Sequence, residues 1–379
     1  MRHALIGSLV TLGLLLGLSG ALPAQTPIGA LYGAQMACDP ALTGCQKIPL
    51  TVTILCTTSC PRIMAPTWSI PTRFWGSVLG ASPNCVTSSD SGVTWAGCTT
   101  QPFSSGTKEH YAGTADGAVV AVAQVGGNCV VKRSTDLGTT WPTVFTYAVT
   151  NGCGGSLLGD FFLKCLPTGD CVMPFINPGT QVLHGLRSTD NGQTWASQTT
   201  VAGAVCGGTA GTAYDGTNGI QALTATAPGT CKAPFTETAP PWALSVAWPD
   251  VGDCWGSVIY NSLPRAICFK TATGNYQMIS RTGALVANLT LPSALLAIDV
   301  GGPSVSIGTN NLYLMATKSV PSGPAPIGIW ISQDNLATFT LLATTGVSVN
   351  AMKDGSFFSA QGCLWFSAGT TPLVGKICP

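Results

Sequence analysis

The sequence predicts an all-β protein, a β-propeller of four-stranded blades, and three observations lead to this fold class. Glycine and proline are abundant, at 46 and 26 of 379 residues, which favours turns over helices. A short motif, S-x-D-x-G-x-T-W, recurs along the chain. The first three copies lie 46 and 54 residues apart, and a period in this range is typical of one propeller blade.

Residues 1–24 are typical of a secretory signal peptide. A short polar start precedes an apolar run from Ala4 to Ala21, and small residues at Ala21 and Ala24 suit cleavage. The alternative is an uncleaved membrane anchor, because the run is about long enough to cross a bilayer. We therefore expect a secreted protein, extracellular or periplasmic, with no membrane span once the signal is removed.

Each residue type in the motif suits a hairpin turn between the third and fourth strands of a unit. Ser and Asp hydrogen-bond nearby backbone, Gly permits a positive φ, and Thr and Trp begin the next strand. Worn copies are expected near Glu237, Thr282 and Asp334. The residues assigned to this structural role are Ser88, Asp90, Gly92, Thr94, Trp95, Ser134, Asp136, Gly138, Thr140, Trp141, Ser188, Asp190, Gly192, Thr194, Trp195 and Asp334.

Short β-prone runs separated by turns predict the strands of one unit. The segment Ile48 to Leu55 is predicted to be the fourth strand of the last blade, which would close the ring and remove an exposed sheet edge. Seven blades are favoured, with 25–63 as an N-terminal Cys-rich segment and 64–379 as the propeller. Six blades with a separate cap is the alternative. The runs of the example unit are Glu109 to Ala115, Ala118 to Gln124, Asn128 to Arg133 and Thr143 to Val149.

All 16 cysteines follow the signal, and an even number in an exported chain predicts disulfides. Zinc sites need paired Cys or His clusters, which this chain lacks, so we expect no metal and no cofactor. Sequence does not fix the connectivity. Pairing each cysteine with its next neighbour gives Cys38–Cys45, Cys56–Cys60, Cys85–Cys98, Cys129–Cys153, Cys165–Cys171, Cys206–Cys231, Cys254–Cys268 and Cys363–Cys378.

The three intact copies resemble the Asp-box, or BNR repeat, of sialidases, sortilin-type receptors, some glucan-cleaving hydrolases and photosystem assembly factors. The resemblance implies a propeller whose boxes lie on the outer rim, away from the central channel. It therefore implies that Asp90, Asp136 and Asp190 form turns rather than catalyse a reaction. Arg133 and Arg187 directly precede two boxes, and we interpret them as strand residues that pair with box carboxylates.

A sialidase-like glycoside hydrolase is the sharpest enzymatic hypothesis. The family uses an Arg triad and a Tyr nucleophile with a Glu partner, and Glu109 and Tyr111 could share one face of a strand. The weak point is the family's Arg-Ile-Pro motif, which Pro61 to Pro66 breaks at Met64. No pair of acids suits the ordinary two-carboxylate mechanism, and no G-x-S-x-G nucleophile elbow is present.

The low charge of the chain excludes one further class of function. Only 31 residues are charged and the net charge is +1, too few for the basic face of a nucleic-acid-binding protein. The preferred prediction is a secreted, non-catalytic binding or scaffold propeller for a glycan or protein at one of its faces. A sialidase-like glycoside hydrolase is the alternative, and a self-assembling extracellular structural subunit is a second alternative.

Overall fold

The computed structural model describes 28 β-strands, and every regular element among its described residues is a strand. The described strands form seven sheets, which we number in chain order. The described residues are 51–56, 60–61, 63–67, 70–78, 84–104, 109–148, 163–177, 182–199, 206–214, 218–225, 232–236, 254–261, 263–270, 275–280, 284–289, 298–299, 304–307, 311–318, 325–332, 336–349, 355–360, 363–368 and 373–378.

The first three sheets each contain four antiparallel strands in chain order. Sheet 1 consists of β2 (Ile63–Thr67), β3 (Ile70–Ser77), β4 (Cys85–Ser88) and β5 (Ala96–Gly97). Sheet 2 consists of β6 (Glu109–Gly113), β7 (Val119–Val125), β8 (Asn128–Ser134) and β9 (Thr143–Ala148). Sheet 3 consists of β10 (Lys164–Cys165), β11 (Cys171–Asn177), β12 (Val182–Ser188) and β13 (Ala196–Thr199).

Sheets 4 to 6 follow the same order with local departures. Sheet 4 has β14 (Cys206–Tyr214), β15 (Asn218–Ala225) and β16 (Lys232–Thr236). Sheet 5 has β17 (Cys254–Tyr260), β18 (Leu263–Lys270), β19 (Asn275–Ser280) and β20 (Leu285–Leu289). In sheet 6, β21 (Ile298–Asp299) and β22 (Ser304–Ile307) both pair with β23 (Asn311–Lys318), followed by β24 (Ala325–Ser332) and β25 (Thr340–Val349).

Sheet 7 joins the two ends of the described chain. It consists of β26 (Gly355–Ala360), β27 (Cys363–Ala368) and β28 (Leu373–Cys378), with β1 (Thr51–Cys56) paired antiparallel to β28. The sequence predicts this closing strand over Ile48 to Leu55, and residues 48–50 lie outside the described residues. The first sheet also contacts the last, because β2 lies against β26.

The burial of its strands shows how sheet 2 is oriented. Every residue of β6 is buried, β7 is buried except at its end, and β9 is exposed or half-buried. Burial therefore falls from the first strand to the fourth, which places the first strand innermost. The four strands match the predicted runs to within two residues.

The core lies between the sheets. One cluster joins sheets 1 and 2 through Trp75, Tyr111 and Trp141, which are all buried. Phe74 and Trp365 join sheets 1 and 7 with ring centroids 4.7 Å apart. Because both faces of a sheet pack on neighbours, apolar residues are needed on both faces of the inner strands.

Among the described residues, three disulfides have both cysteines in place, and each joins cysteines that are consecutive along the chain: Cys56–Cys60, Cys85–Cys98 and Cys165–Cys171. Cys129 and Cys268 also form disulfides, and the register places Cys254 directly opposite Cys268. Cys38, Cys45, Cys153 and Cys231 lie outside the described residues, as does the predicted signal at 1–24. The other five pairs stay predictions.

Candidate functional site

Strand β6 brings the two candidate catalytic residues together. Glu109 and Tyr111 lie two residues apart on one face, as strand alternation predicts. The Tyr111 hydroxyl donates a hydrogen bond to Glu109 Oε2. The side chains are not accessible, however, because Glu109 is 0% exposed and Tyr111 is 3% exposed. Sequence reasoning paired the residues but did not place them inside the protein.

The surroundings of this pair are those of a packed core. Trp75 stacks on Tyr111 with ring centroids 6.5 Å apart, and Trp141 meets it edge-on at 6.3 Å. Burial, and then the neighbouring Glu109 carboxyl, raise the pKa of Tyr111 well above its ordinary value. A tyrosine nucleophile must touch its substrate and lose its proton. The observed position opposes both requirements.

The repeated motif forms the same hydrogen-bonded turn in sheets 1, 2 and 3. In sheet 2, Ser134 Oγ donates to Asp136 Oδ1 at 2.8 Å and accepts from the Gly138 N–H at 2.8 Å. The Thr140 N–H and hydroxyl donate to the two oxygens of Asp136, at 2.9 and 2.6 Å. The turns at Ser88 and Ser188 repeat these bonds. The serine and aspartate side chains thus bind the turn itself.

These bonds also change the acidity of the carboxyls. Hydrogen bonds from the Thr140 side chain and backbone lower the pKa of Asp136 to about 2. At Asp90 and Asp190, partial burial raises the pKa, but hydrogen bonds from Thr94 and Thr194, respectively, outweigh it and the net pKa is lowered. A general acid needs a raised pKa near the working pH. The three aspartates therefore have the properties of structural carboxylates.

The motif glycines pack against the preceding sheet. All have positive φ, which suits glycine. A Cβ added to Gly138 would lie 2.5 Å from Trp75, and one added to Gly192 would lie 2.5 Å from Val120. A Cβ added to Gly92 would lie 3.1 Å from Trp365 of sheet 7 and 3.4 Å from Phe74 of its own sheet. Each partner on the preceding sheet lies on the second strand of that sheet, so the turn is a joint between neighbouring sheets.

Two worn copies keep one bond of the turn. The Leu336 N–H donates to Ser332 Oγ at 3.0 Å, and the Ala284 N–H donates to Ser280 Oγ at 3.0 Å. Each relation matches that between Gly138 and Ser134. Leu336 occupies the glycine position with φ +70° and is buried. Asp334 and most of the copy near Glu237 lie outside the described residues.

The sequence predicts that Arg133 and Arg187 pair with carboxylates of the motif turns, and the observed contacts of Arg133 differ. Arg133 pairs with Asp116, in the turn between β6 and β7. Its Nε donates to the Asn191 carbonyl oxygen at 2.9 Å, in the motif turn of sheet 3. Arg133 therefore bridges two sheets, because its strand ends beside the next turn along the ring. Nothing in the sequence pattern revealed this partner.

Two further searches cover the described ranges alone. They contain no group of three or more His, Cys, Asp or Glu side chains placed to hold a metal ion. They also contain no helix long and apolar enough to cross a bilayer.

No protein-family model matches this chain, and no curated protein matches it in sequence. Solved structures are similar in fold. YCF48 bound to a D1 peptide is 14% identical, with a TM-score of 0.57 over 90% of this chain and 98% of that one. A puromycin hydrolase mutant complexed with PGG is 10% identical, with a TM-score of 0.50 over 83% of this chain and 51% of that one. The polysaccharide lyase Uly1 is 9% identical, with a TM-score of 0.45 over 91% and 94%.

The first two of these similarities, together with the sheets and their contacts, support a propeller fold. The protein is an all-β propeller built of antiparallel sheets. At such low identity the comparison concerns the fold alone, because one propeller architecture supports unrelated functions.

Proposed function

We propose that this chain is an exported Asp-box propeller of seven blades. The strands described here form seven sheets, and contacts between neighbouring sheets run from sheet 1 through sheet 7 and back to sheet 1. The serine-to-fifth-residue bond in sheets 1, 2, 3, 5 and 6 supports one repeated unit. We assign 1–24 as the signal, 25–63 as the segment that closes the last blade, and 64–379 as the propeller.

We further propose that the propeller is a non-catalytic binding or scaffold module. The burial of Glu109 and Tyr111 carries this proposal, because they are the candidate catalytic pair and neither reaches solvent. The aspartates of the three intact turns accept hydrogen bonds from the backbone of their own turns. Because these groups have structural roles, the loops of the rigid ring remain as the surface for function. Loops held by a rigid scaffold commonly bind partners.

The partner that we favour is a segment of another protein, with a glycan as the alternative. The favoured choice is supported by the structure of YCF48 with a D1 peptide, since that propeller and this chain match over nearly all of both lengths. The low net charge of +1 argues against nucleic acid.

The experiment compares binding with turnover on the same purified, oxidised protein. A peptide array and a glycan array measure binding, and a panel of fluorogenic glycosides, sialosides included, measures hydrolysis. We expect saturable binding to peptides, no hydrolysis, and binding unchanged in the isosteric variant Tyr111→Phe. Hydrolysis that disappears in Glu109→Gln would overturn the proposal in favour of a sialidase-like enzyme. Regular filaments in electron microscopy without ligand binding would favour the structural subunit.

A further inference from the structure

The closure of the ring depends on a strand from the far end of the chain. Strand β1 pairs with β28 from Thr51 opposite Cys378 to Cys56 opposite Val374, with a register shift near its end. It is the outermost strand of sheet 7. An outer strand has one neighbour within its sheet, so it is the first to separate when a sheet frays.

A disulfide lies where this closing strand ends. Cys56 is the last residue of β1, and it is bonded to Cys60, shortly before β2 begins at Ile63. Cys60 and Val374 of β28 are both 0% exposed and pack together, with Cys56 and Trp95 against them. The bond therefore touches the closing sheet on one side and the motif turn of sheet 1 on the other.

The neighbouring side chain strengthens the same junction. Leu55 of β1 packs against Phe74 of sheet 1 and Trp365 of sheet 7. The end of β1 is thus held in the core between the first and last sheets, and the disulfide fixes where the chain leaves it.

The other two described disulfides are placed differently. Cys85–Cys98 joins the start of β4 to the residue after β5, within sheet 1. Cys165–Cys171 crosses the hairpin of β10 and β11, at directly opposite positions within sheet 3. Each of these two disulfides lies within a single sheet, whereas Cys56–Cys60 lies between sheets 7 and 1.

We propose that Cys56–Cys60 is a redox-sensitive latch on the closure of the propeller. A dithiol reductant supplies the two electrons. One of its thiolates attacks the sulfur of one cysteine, which breaks the Cys56–Cys60 bond, releases the other cysteine as a thiolate and forms a mixed disulfide. The second thiolate of the reductant then attacks its own sulfur in that mixed disulfide and releases the first cysteine, and both cysteine thiolates take up protons from water. The products are two cysteine thiols and an oxidised, cyclic reductant. Releasing the bond frees the end of β1 and opens the junction between sheets 7 and 1, while the other sheets stay paired. This inference rests on the observed pairing of β1 with β28 and not on the proposed binding role.

The test is hydrogen–deuterium exchange, read by mass spectrometry, on the full oxidised chain. The double variant Cys56→Ser/Cys60→Ser removes the latch, and Cys165→Ser/Cys171→Ser is the matched control. We expect exchange in 51–56 and 373–378 to quicken at least about tenfold in the latch variant, with β11 and β12 unchanged. In the control, the faster exchange should be confined to β10 and β11.

The proposal is overturned if exchange in 51–56 is unchanged, or if it quickens equally in all sheets. The wild type gives the same reading without mutation, which matters if the latch variant does not fold. Timed treatment with dithiothreitol, followed by alkylation, identifies molecules in which Cys56 and Cys60 are reduced. Loss of protection at β1 and β28 in those molecules supports the latch, and full protection there contradicts it.

Discussion

Sheets 2 and 6 begin the turn between their last two strands with the same serine hydrogen bond, but different residues occupy the fifth position of that turn. Sheet 2 uses Gly138, whose missing side chain leaves room for the Trp75 indole. Sheet 6 uses Leu336 at the same position, with φ +70° and 3% exposure. A leucine in the left-handed region is strained, so the structure around Leu336 must offset this strain.

The strand register identifies the residue of sheet 5 that is equivalent to Trp75 and Val120. Trp75 pairs with Thr87, the residue before Ser88, and Val120 pairs with Arg133, the residue before Ser134. The corresponding residue in sheet 5 is Ala266, which pairs with Ile279, the residue before Ser280.

The residue on the preceding sheet becomes smaller along these three joints, from Trp75 to Val120 to Ala266. The turn has glycine in the first two joints and leucine in the third. Trp75 faces Gly138, Val120 faces Gly192, and Ala266 precedes the turn that holds Leu336. Interiors are packed to nearly constant density, so a small residue on one side calls for a large one on the other. We therefore expect Leu336 to cover Ala266, and the joint to conserve volume rather than residue type.

The largest effect is expected from Gly138→Leu, which puts the sheet 6 residue into the sheet 2 joint. The new side chain meets Trp75 and sits at φ +84°, so we expect a loss of about 3–5 kcal/mol in the free energy of unfolding. The measurement is denaturant unfolding followed by circular dichroism. Gly126→Leu is the control, because Gly126 also has a positive φ but open space around it, and it should cost only about 1 kcal/mol.

The same joint tests conservation of volume. Trp75→Ala alone should cost about 3–5 kcal/mol. Combined with Gly138→Leu, the loss should fall short of the sum by at least about 1 kcal/mol, since each change relieves the other. Strictly additive losses would show that the two residues do not share a space.

A smaller effect is expected at the inverted joint of sheet 6. Leu336→Gly removes a buried side chain but relieves backbone strain, for a net loss of about 1–3 kcal/mol. Ala266→Val should destabilise the wild type by overpacking, by about 1–3 kcal/mol, but cost little in the Leu336→Gly background. Ala121→Val, at a buried position outside this joint, should cost the same in both backgrounds. An unchanged cost for Ala266→Val would show that Leu336 does not cover Ala266.

The motif could be predicted from sequence because its hydrogen bonds span only a few residues. The pairing of Gly138 with Trp75 could not, because they are 63 residues apart in the chain and only the ring brings them together. Strand alternation likewise put Glu109 and Tyr111 on one face, but not in the core. A charged residue is rarely buried unless it is paired. The sequence predicted Tyr111 as the neighbour of Glu109, but it did not reveal how deeply the two side chains are buried.

The smallest effect on stability is expected from the aspartate carboxylate of an intact turn. Sheet 5 has Thr282 where sheet 2 has Asp136. The pKa of Asp136 is about 2, below that of an unfolded aspartate near 3.9, so its contribution to stability is complete above that unfolded value and is lost as the pH falls through about 2. The difference in urea midpoint between wild type and Asp136→Asn should therefore be constant above about pH 4 and close towards pH 2. Thr282→Ala should show a difference that does not vary with pH. A constant difference for Asp136→Asn as well would mean that the carboxylate charge adds nothing to the turn.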